Sequence, residues 1–255
     1  MTRPAGSMRA SQYHGDRTFL TATVPTPEPG PGEALLRVRR VGICGTDLHI
    51  YQGHLDHRVP RGGTIGHEVF AEVVTAPAAS GFAGGDRVVV EPVLFCGTCS
   101  SCRMGAAYLC RHLKVLGVDV AGGMQQYWSL PADRLLKVPD SIGDDQAALI
   151  EPLAVAVHDT GRAGVKPGDR VVVFGGGPIG CLIALVCRHR GAEVRVVEIN
   201  PHRVRMLGER FGLETIGPEQ DAVAVVNRWT DGAGADVSFE VSGDPAAARL
   251  VTDVV

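Results

Sequence analysis

The 255-residue chain has no run of eighteen apolar residues, which excludes a membrane-spanning helix of ordinary length. It has no excess of basic charge either: 25 Lys and Arg stand against 28 Asp and Glu, for a net charge of −3. The electrostatic footprint of a nucleic-acid binder is therefore missing. The first residues, Met1-Thr2-Arg3-Pro4-Ala5-Gly6-Ser7-Met8, lack the apolar stretch of an export signal, and Met8 is a second candidate start. No internal repeat or low-complexity segment interrupts the chain. With no export signal, the 7 cysteines are expected to serve as metal ligands and buried thiols of a reducing cytoplasm, not as disulfides. What is present is a hydrophobic share of 45% and a charged share of 21%, enough for a real core in one large domain or two small ones.

Four of the cysteines, Cys96, Cys99, Cys102 and Cys110, follow the spacing C-x2-C-x2-C-x7-C. Four thiolates this close in sequence can close a tetrahedron around one zinc ion and leave no position open for a substrate. Free or disulfide-linked thiols are the plainer alternative, but such a cluster without a metal is an oxidation liability. An iron–sulfur cluster is the other metal alternative. Ferredoxin runs use a shorter last gap followed by proline, and no proline follows Cys110, so zinc is favoured.

The texture changes along the chain. Up to about residue 150, short apolar runs such as 34–38, 69–74 and 87–90 alternate with Pro/Gly punctuation, as at 25–32 and 83–86. This predicts a small barrel or partly open β domain. Residues 144–163 read as helical. From Arg170 the order becomes strand, helix, strand, helix: a strand at 171–174, a helix at 178–190, a strand at 193–198 and a helix at 201–211. A further strand follows at 237–241, and the start of a helix from Asp244. That is the βαβ pattern of a parallel sheet. A doubly wound dinucleotide domain has two such halves, so the first half and one strand of the second are expected here, with the C-terminal part of the fold missing.

Gly175-Gly176-Gly177-Pro178-Ile179-Gly180 fits G-x-G-x-x-G directly after an apolar strand, and Glu198 ends the next strand. In that context the glycines allow a tight turn against a pyrophosphate, and the helix N-terminus offers N–H groups and partial positive charge. Glu198 is expected to accept from the adenosine ribose hydroxyls and to repel a 2′-phosphate, favouring NAD over NADP. Arg203 is expected to flank the adenine, although an arginine there can also reverse that preference. Cys44, in Gly42-Ile43-Cys44-Gly45-Thr46-Asp47-Leu48-His49, and His67, in Gly66-His67-Glu68, supply zinc-ligand types. Three protein ligands with one open position would make a Lewis-acid site that lowers the pKa of a bound alcohol. Singly, Cys44 reads as a small buried hydrophobe and His67 as a core histidine. The combination with the other two motifs gives them a catalytic reading.

These five motifs, G-I-C-G-T-D-L-H at 42–49, G-H-E at 66–68, the cysteine quartet, E-P-L-A-V-A-V-H at 151–158 and G-G-G-P-I-G at 175–180, occur in the order found in zinc-dependent medium-chain alcohol dehydrogenases. From about residue 9 onward the chain resembles that family, in the branch of polyol (sorbitol-like), butanediol and threonine dehydrogenases. The resemblance implies an α/β protein. A GroES-like, partly open β-barrel catalytic domain at 1–155, with a structural-zinc lobe at 94–112, would precede an incomplete Rossmann doubly wound sheet at 156–255 that binds NAD.

It implies two zinc ions per chain. Cys44 and His67 would bind the catalytic ion, with Glu68 or Glu151 as the remaining ligand. Cys96, Cys99, Cys102 and Cys110 would bind the structural one. Thr46 and His49 resemble the relay that passes the alcohol proton to solvent by way of the nicotinamide ribose. Asp47 resembles the carboxylate that orients His67. Ser242 and Gly243 match the segment facing the nicotinamide. His54 reads as an ordinary loop histidine, His158 as structural or lining, and Cys181 and Cys187 as core thiols.

The implied activity is NAD-linked interconversion of a secondary alcohol (polyol, diol or hydroxy amino acid) and a ketone, by a cytoplasmic homo-oligomer with no nucleic-acid or membrane partner. A zinc-binding chain without turnover, whose sheet would carry an unpaired edge, is the alternative. A zinc-free quinone reductase of the same superfamily is disfavoured by Cys44, His67 and the cysteine quartet.

Overall fold

In the strand Val69–Thr75, alternate residues point to opposite faces and both faces are apolar. Val69, Ala71 and Val73 join Ala34, Leu36, Val88, Val90, Trp128 and Leu130 in one buried cluster. Phe70 points the other way, into a cluster with Val89, Val138, Ala147 and Ala148. A strand buried on both sides belongs in the middle of a sheet, and that is where it lies. The computed structural model describes residues 6–255. Residues 1–5, part of the stretch expected to lack an export signal, lie outside the described residues.

The chain divides into two units, Met1–Glu151 and Pro152–Val255. In the first, β1 (Ser7–Tyr13) and β2 (Phe19–Pro25) form an antiparallel hairpin. Then come β3 (Glu33–Val41), α1 (Gly45–Tyr51), β4 (Val69–Thr75) and β5 (Arg87–Val90). A lobe follows, with β6 (Val93–Leu94), α2 (Ser100–Arg103) and β7 (Lys114–Val115). The unit is completed by β8 (Tyr127–Pro131), β9 (Leu135–Lys137) and α3 (Asp144–Ala147). The main sheet is antiparallel with order β8-β3-β4-β5-β9. The β6–β7 pair closes the neck of the lobe.

Residues 144–163 do not form one helix. α3 stops at Ala147, and α4 (Ile150–Arg162) starts anew. Pro152 explains the break. In a continuous helix its ring would meet the Ala148 carbonyl and its nitrogen could not donate there, whereas in the first turn of α4 neither matters.

The second unit continues with β10 (Arg170–Phe174), α5 (Pro178–His189), β11 (Glu193–Val197), α6 (Pro201–Phe211) and β12 (Glu214–Ile216). α7 (Ala222–Trp229), β13 (Val237–Glu240) and α8 (Pro245–Asp253) follow. All four strands are parallel, in the order β12-β11-β10-β13. Period two again explains the layers. Val171 and Val173 pack with α5 residues and Leu207 on one face, and Val172 and Phe174 with Ala222, Val226 and Val254 on the other. This is a Rossmann-like sheet with its order reversing between β10 and β13, where ligands of such folds bind. β13 is half-exposed along its whole length. Among the described residues, no helix is long and apolar enough to cross a membrane.

The core assignment has a direct test. Leu36 is 0% exposed, so Leu36→Ala is expected to destabilise the chain by about 2–5 kcal/mol in urea unfolding. Leu20→Ala, at a side chain 52% exposed, is expected to change stability by no more than about 0.5 kcal/mol.

Candidate metal and dinucleotide sites

The antiparallel β3–β4 register pairs Val41 with Val69, and the ladder runs one step further through the bond from the Gly42 amide to the Glu68 carbonyl, 2.8 Å. Residues just after β3 and just before β4 therefore meet at one end of the sheet. That brings Cys44 to His67 and Glu68, and all three ligand atoms lie within 4.8 Å of one another. Gly42 makes the approach possible, since a Cβ there would overlap the Glu68 carboxylate. The loop before His67 is held by the amides of Gly122 and Met124, which donate to Thr64 and Ile65 at 2.7 and 2.9 Å.

His67 and Glu68 are each 7% exposed and Asp47 4%. Burial alone lowers the proton affinity of His67. The Cys44 sulfur beside it, with the charges of Cys44, Asp47 and Glu151, outweighs burial and raises its pKa to about 9. Burial is the main cause that raises Glu68, Asp47 and Glu151, and the neighbouring His67 opposes it in each. His67 Nδ1 and Asp47 Oδ1 are buried with no hydrogen-bond partner. A half-buried thiol beside a buried imidazole and carboxylate, with a buried ring nitrogen unpaired, has the donor set of a zinc site. Glu151 acts on His67 and Glu68 through space but lies outside the 4.8 Å cluster. Of the two carboxylates left open by the sequence, Glu68 is thus the one gathered with Cys44 and His67.

α1 begins at this site. Its N-cap is Cys44, and the Asp47 carboxylate reaches back to the Cys44 amide at 2.9 Å, one half of a capping box. No hydrogen bond joins Asp47 to His67, the side chain it was expected to orient. The geometry that caps the helix turns the carboxylate to the backbone and leaves its other oxygen unpartnered. Thr46 Oγ1 lies 3.7 Å from Cys44 Sγ. His49 lies one turn on, with its Nδ1 3.1 Å from His54 Nδ1. His54, expected to be an ordinary loop residue, is thereby tied to a site residue. The sequence signal for it was the glycine at 53, just past the helix end. His158 is exposed on α4. Cys181 and Cys187 are buried in α5, and burial pushes the Cys187 thiol up to about 11.

In the lobe, no cysteine pair is joined as a disulfide. Cys99 and Cys102 sulfurs are 3.4 Å apart, Cys96 and Cys110 3.6 Å, Cys99 and Cys110 3.9 Å, and Cys96 and Cys102 4.0 Å. A tetrahedron of zinc–sulfur bonds of about 2.3 Å has edges of about 3.8 Å, which these distances bracket. Backbone amides already point at the sulfurs. Cys99 N–H donates to Cys96 at 3.3 Å, Cys96 N–H to Cys110 at 3.4 Å and His112 N–H to Cys110 at 3.3 Å. Hydrogen bonds of this kind, from Thr98 first, hold Cys96 down at about 5. Burial first, then the neighbouring sulfurs, push Cys102 up to about 12, since four thiols in contact cannot all ionise together.

In the second unit the turn after β10 is as the motif requires. Gly175 has φ +104°, and a Cβ on Gly180 would collide with the Gly175 carbonyl. Gly177 is the N-cap of α5, Pro178 its first residue, and Ile179 packs on the core. Glu198 is 4% exposed. It accepts from the Gly176 amide at 2.8 Å and from the Asn200 amide at 2.7 Å, so it braces the glycine loop. Each oxygen retains a lone pair for a ligand hydroxyl. Arg203 lies 3.6 Å from Glu198 in an ion pair. Beyond β13, Glu240 accepts from the amides of Ser242 and Gly243, at 2.7 and 3.1 Å, and fixes that turn beside Gly175.

Comparison with known proteins gives two matching family models. Residues 30–140 match the alcohol dehydrogenase GroES-like domain and residues 178–255 the zinc-binding dehydrogenase model. The chain is 42% identical over 249 residues to 2-dehydro-3-deoxy-L-galactonate 5-dehydrogenase of Pseudoalteromonas atlantica, covering 97% of this chain and 73% of that protein. It is 41% identical over 229 residues to L-threonine 3-dehydrogenase of Pyrococcus horikoshii, covering 88% of this chain and 66% of that one. A solved structure from Sinorhizobium meliloti, described as a zinc-binding dehydrogenase and bound to NADP, superposes with a TM-score of 0.90 at 30% identity. It spans 98% of this chain, which covers 74% of that one.

The proton held by His67 sets a pH dependence. Its pKa in the metal-free fold, about 9, lies above the ordinary 6.5. The stability this contributes is therefore complete below pH 6.5 and lost as pH rises through about 9. Zinc must displace that proton. Calorimetry of zinc addition is expected to show fewer protons released at pH 7 by His67→Ala than by the parent, the lobe cysteines contributing equally to both, and affinity at the His67 site rising with pH. Affinity at this site that stays constant from pH 6.5 to 9 would contradict the assignment.

Proposed function

The chain belongs to the zinc-binding, GroES-like alcohol dehydrogenase family, and we propose that it interconverts a secondary alcohol and a ketone using zinc and NAD. The observation that carries this reading is the cluster of half-buried Cys44 with buried His67 and Glu68, whose ligand atoms gather within 4.8 Å. In this reading the catalytic unit spans residues 1–155 and the NAD-binding unit 156–255. Cys44, His67 and Glu68 hold one zinc, with Glu151 as the remaining candidate ligand, directly or through water, and the four lobe cysteines hold a second. Zinc at the first site supplies Lewis acidity at the alcohol oxygen, and the nicotinamide supplies the hydride acceptor.

The remaining roles belong to the chain. Asp47 fixes the Cys44 backbone at the helix start. Thr46 and His49, three residues apart and so on one face of α1, carry the alcohol proton outward. The glycine turn and the N-terminus of α5 receive the pyrophosphate. Glu198 selects NAD, since its buried carboxylate repels a 2′-phosphate. Arg203, paired with Glu198, is not free to attract one. Its relatives' names support a hydroxylated small molecule, a polyol, diol, hydroxy amino acid or deoxy sugar acid, as substrate. A cytoplasmic homo-oligomer is the assembly we infer from the family.

Absorbance of NADH with a panel of polyols, butanediol, threonine and 3-deoxy sugar acids tests the reading. Turnover with at least one is expected. His67→Ala should lower it more than about 100-fold, beyond the loss typical of a residue that only supports a ligand. NAD should be preferred to NADP, with Glu198→Ala narrowing the preference. A soluble, zinc-loaded chain that turns over none of these would leave the non-enzymatic alternative standing.

A further inference from the structure

α1 ends in a motif that places two imidazoles in contact. Gln52 is the C-cap, and Gly53 follows with φ +84°. The Gly53 amide donates to the Ile50 carbonyl at 2.9 Å, and the His54 amide to the His49 carbonyl at 3.0 Å. These are the two bonds of a Schellman cap, which brings the third-last helical residue beside the second residue past the end. That pair is usually apolar. Here it is His49 and His54, both exposed, with Nδ1 atoms 3.1 Å apart and ring centroids 5.4 Å apart.

Two Nδ1 atoms at this distance bond only if one carries a proton and the other a lone pair. Which nitrogen of an imidazole holds its proton is set by the bond the other makes. With both Nδ1 atoms engaged, both Nε2 atoms are free. The other titratable or charged groups on this segment are Asp47, bonded to the Cys44 amide, Tyr51, Asp56 and His57. From the hairpin packed beneath come Tyr13, which donates to Asp56 at 2.6 Å, and Asp16, which pairs with Arg61. Among the described residues, none of these bonds to either ring.

We propose that His49 and His54 share one proton as a two-imidazole relay, in which His54 is the member that returns it to water. The proposal rests on the dehydrogenase reading for the source of the proton. A proton accepted at His49 Nε2 leaves that ring with protons on both nitrogens. Its Nδ1 proton then crosses to His54 Nδ1, and His54 releases its own Nε2 proton to water. Exchange of the exposed rings with solvent restores the starting tautomers, so one proton has entered and one has left. His54 is a positioning and relay residue: it acts through His49 and fixes the His49 tautomer.

The test uses the full chain with 15N-labelled histidine. One ring of the pair is expected to carry its neutral-state proton on Nδ1, with a scalar coupling across the bond joining the two Nδ1 nuclei. His54→Ala should abolish the coupling and return His49 to the common Nε2–H form, while His54→Asn keeps a bonding partner for His49 but cannot relay. Both variants should form NADH about tenfold more slowly in weakly buffered solution, less than the ~100-fold loss of a proton-transfer group in direct contact with substrate, because His49 remains. Added imidazole buffer should restore both. No coupling, with both rings in the Nε2–H form, would overturn the proposal, as would a His54→Asn variant as fast as the parent. If the parent forms no NADH, the dehydrogenase reading fails on its own account, and the coupling still decides whether the two rings share a proton.

Discussion

Asp47, His67 and Glu68 lie almost wholly out of water at one end of the β3–β4 ladder, and two of their polar atoms have no partner. Ionisable groups buried this way are destabilising unless a counter-charge accompanies them. The shifts around the site follow from that constraint. Cys44, Asp47 and Glu151 favour the charged form of His67 against the pull of burial, and burial makes the surrounding carboxylates reluctant to ionise. The surrounding backbone serves the same end: the Val41–Val69 register, the space left by Gly42 and the helix start capped by Asp47 all converge on this point.

The two candidate metal sites are built on different principles. The cysteine cage draws its four sulfurs from fifteen consecutive residues, closed by a two-stranded neck and aimed by backbone amides. Its geometry depends on little outside the lobe. The Cys44 cluster joins segments more than twenty residues apart and exists only when β3 and β4 pair in register. A slip of one residue would turn their alternate side chains to the wrong faces. Errors elsewhere in the first unit therefore fall on the Cys44 cluster before they reach the cage.

Much of this was legible in the sequence because the chemistry is written in local spacing. The cysteine quartet, the glycine fingerprint with Glu198, and the strands and helices of the first βαβ pattern lie where the residues indicated. What escaped depends on context. The segment 222–229, Ala-Val-Ala-Val-Val-Asn-Arg-Trp, is a short apolar run whose period does not separate strand from helix. Its helix is fixed by the Asp221 cap, which accepts from the Ala224 amide at 3.0 Å. The break at Ala148 was foreshadowed only by Pro152. The bond of Asp47 to the Cys44 amide, the bracing of the glycine loop by Glu198 and the contact of His49 with His54 are all matters of side-chain direction, which a sequence does not state.

If the lobe cysteines and the Cys44, His67 and Glu68 cluster are independent zinc sites, each should keep its ion when the other is disabled. Metal content per chain, measured by elemental mass spectrometry on the purified protein and on His67→Ala and Cys110→Ser variants, tests it most directly. Two zinc ions are expected in the parent and one in each variant, with the lost ion differing between them. A parent holding a single zinc, or a His67→Ala variant holding as much zinc as the parent, would contradict it.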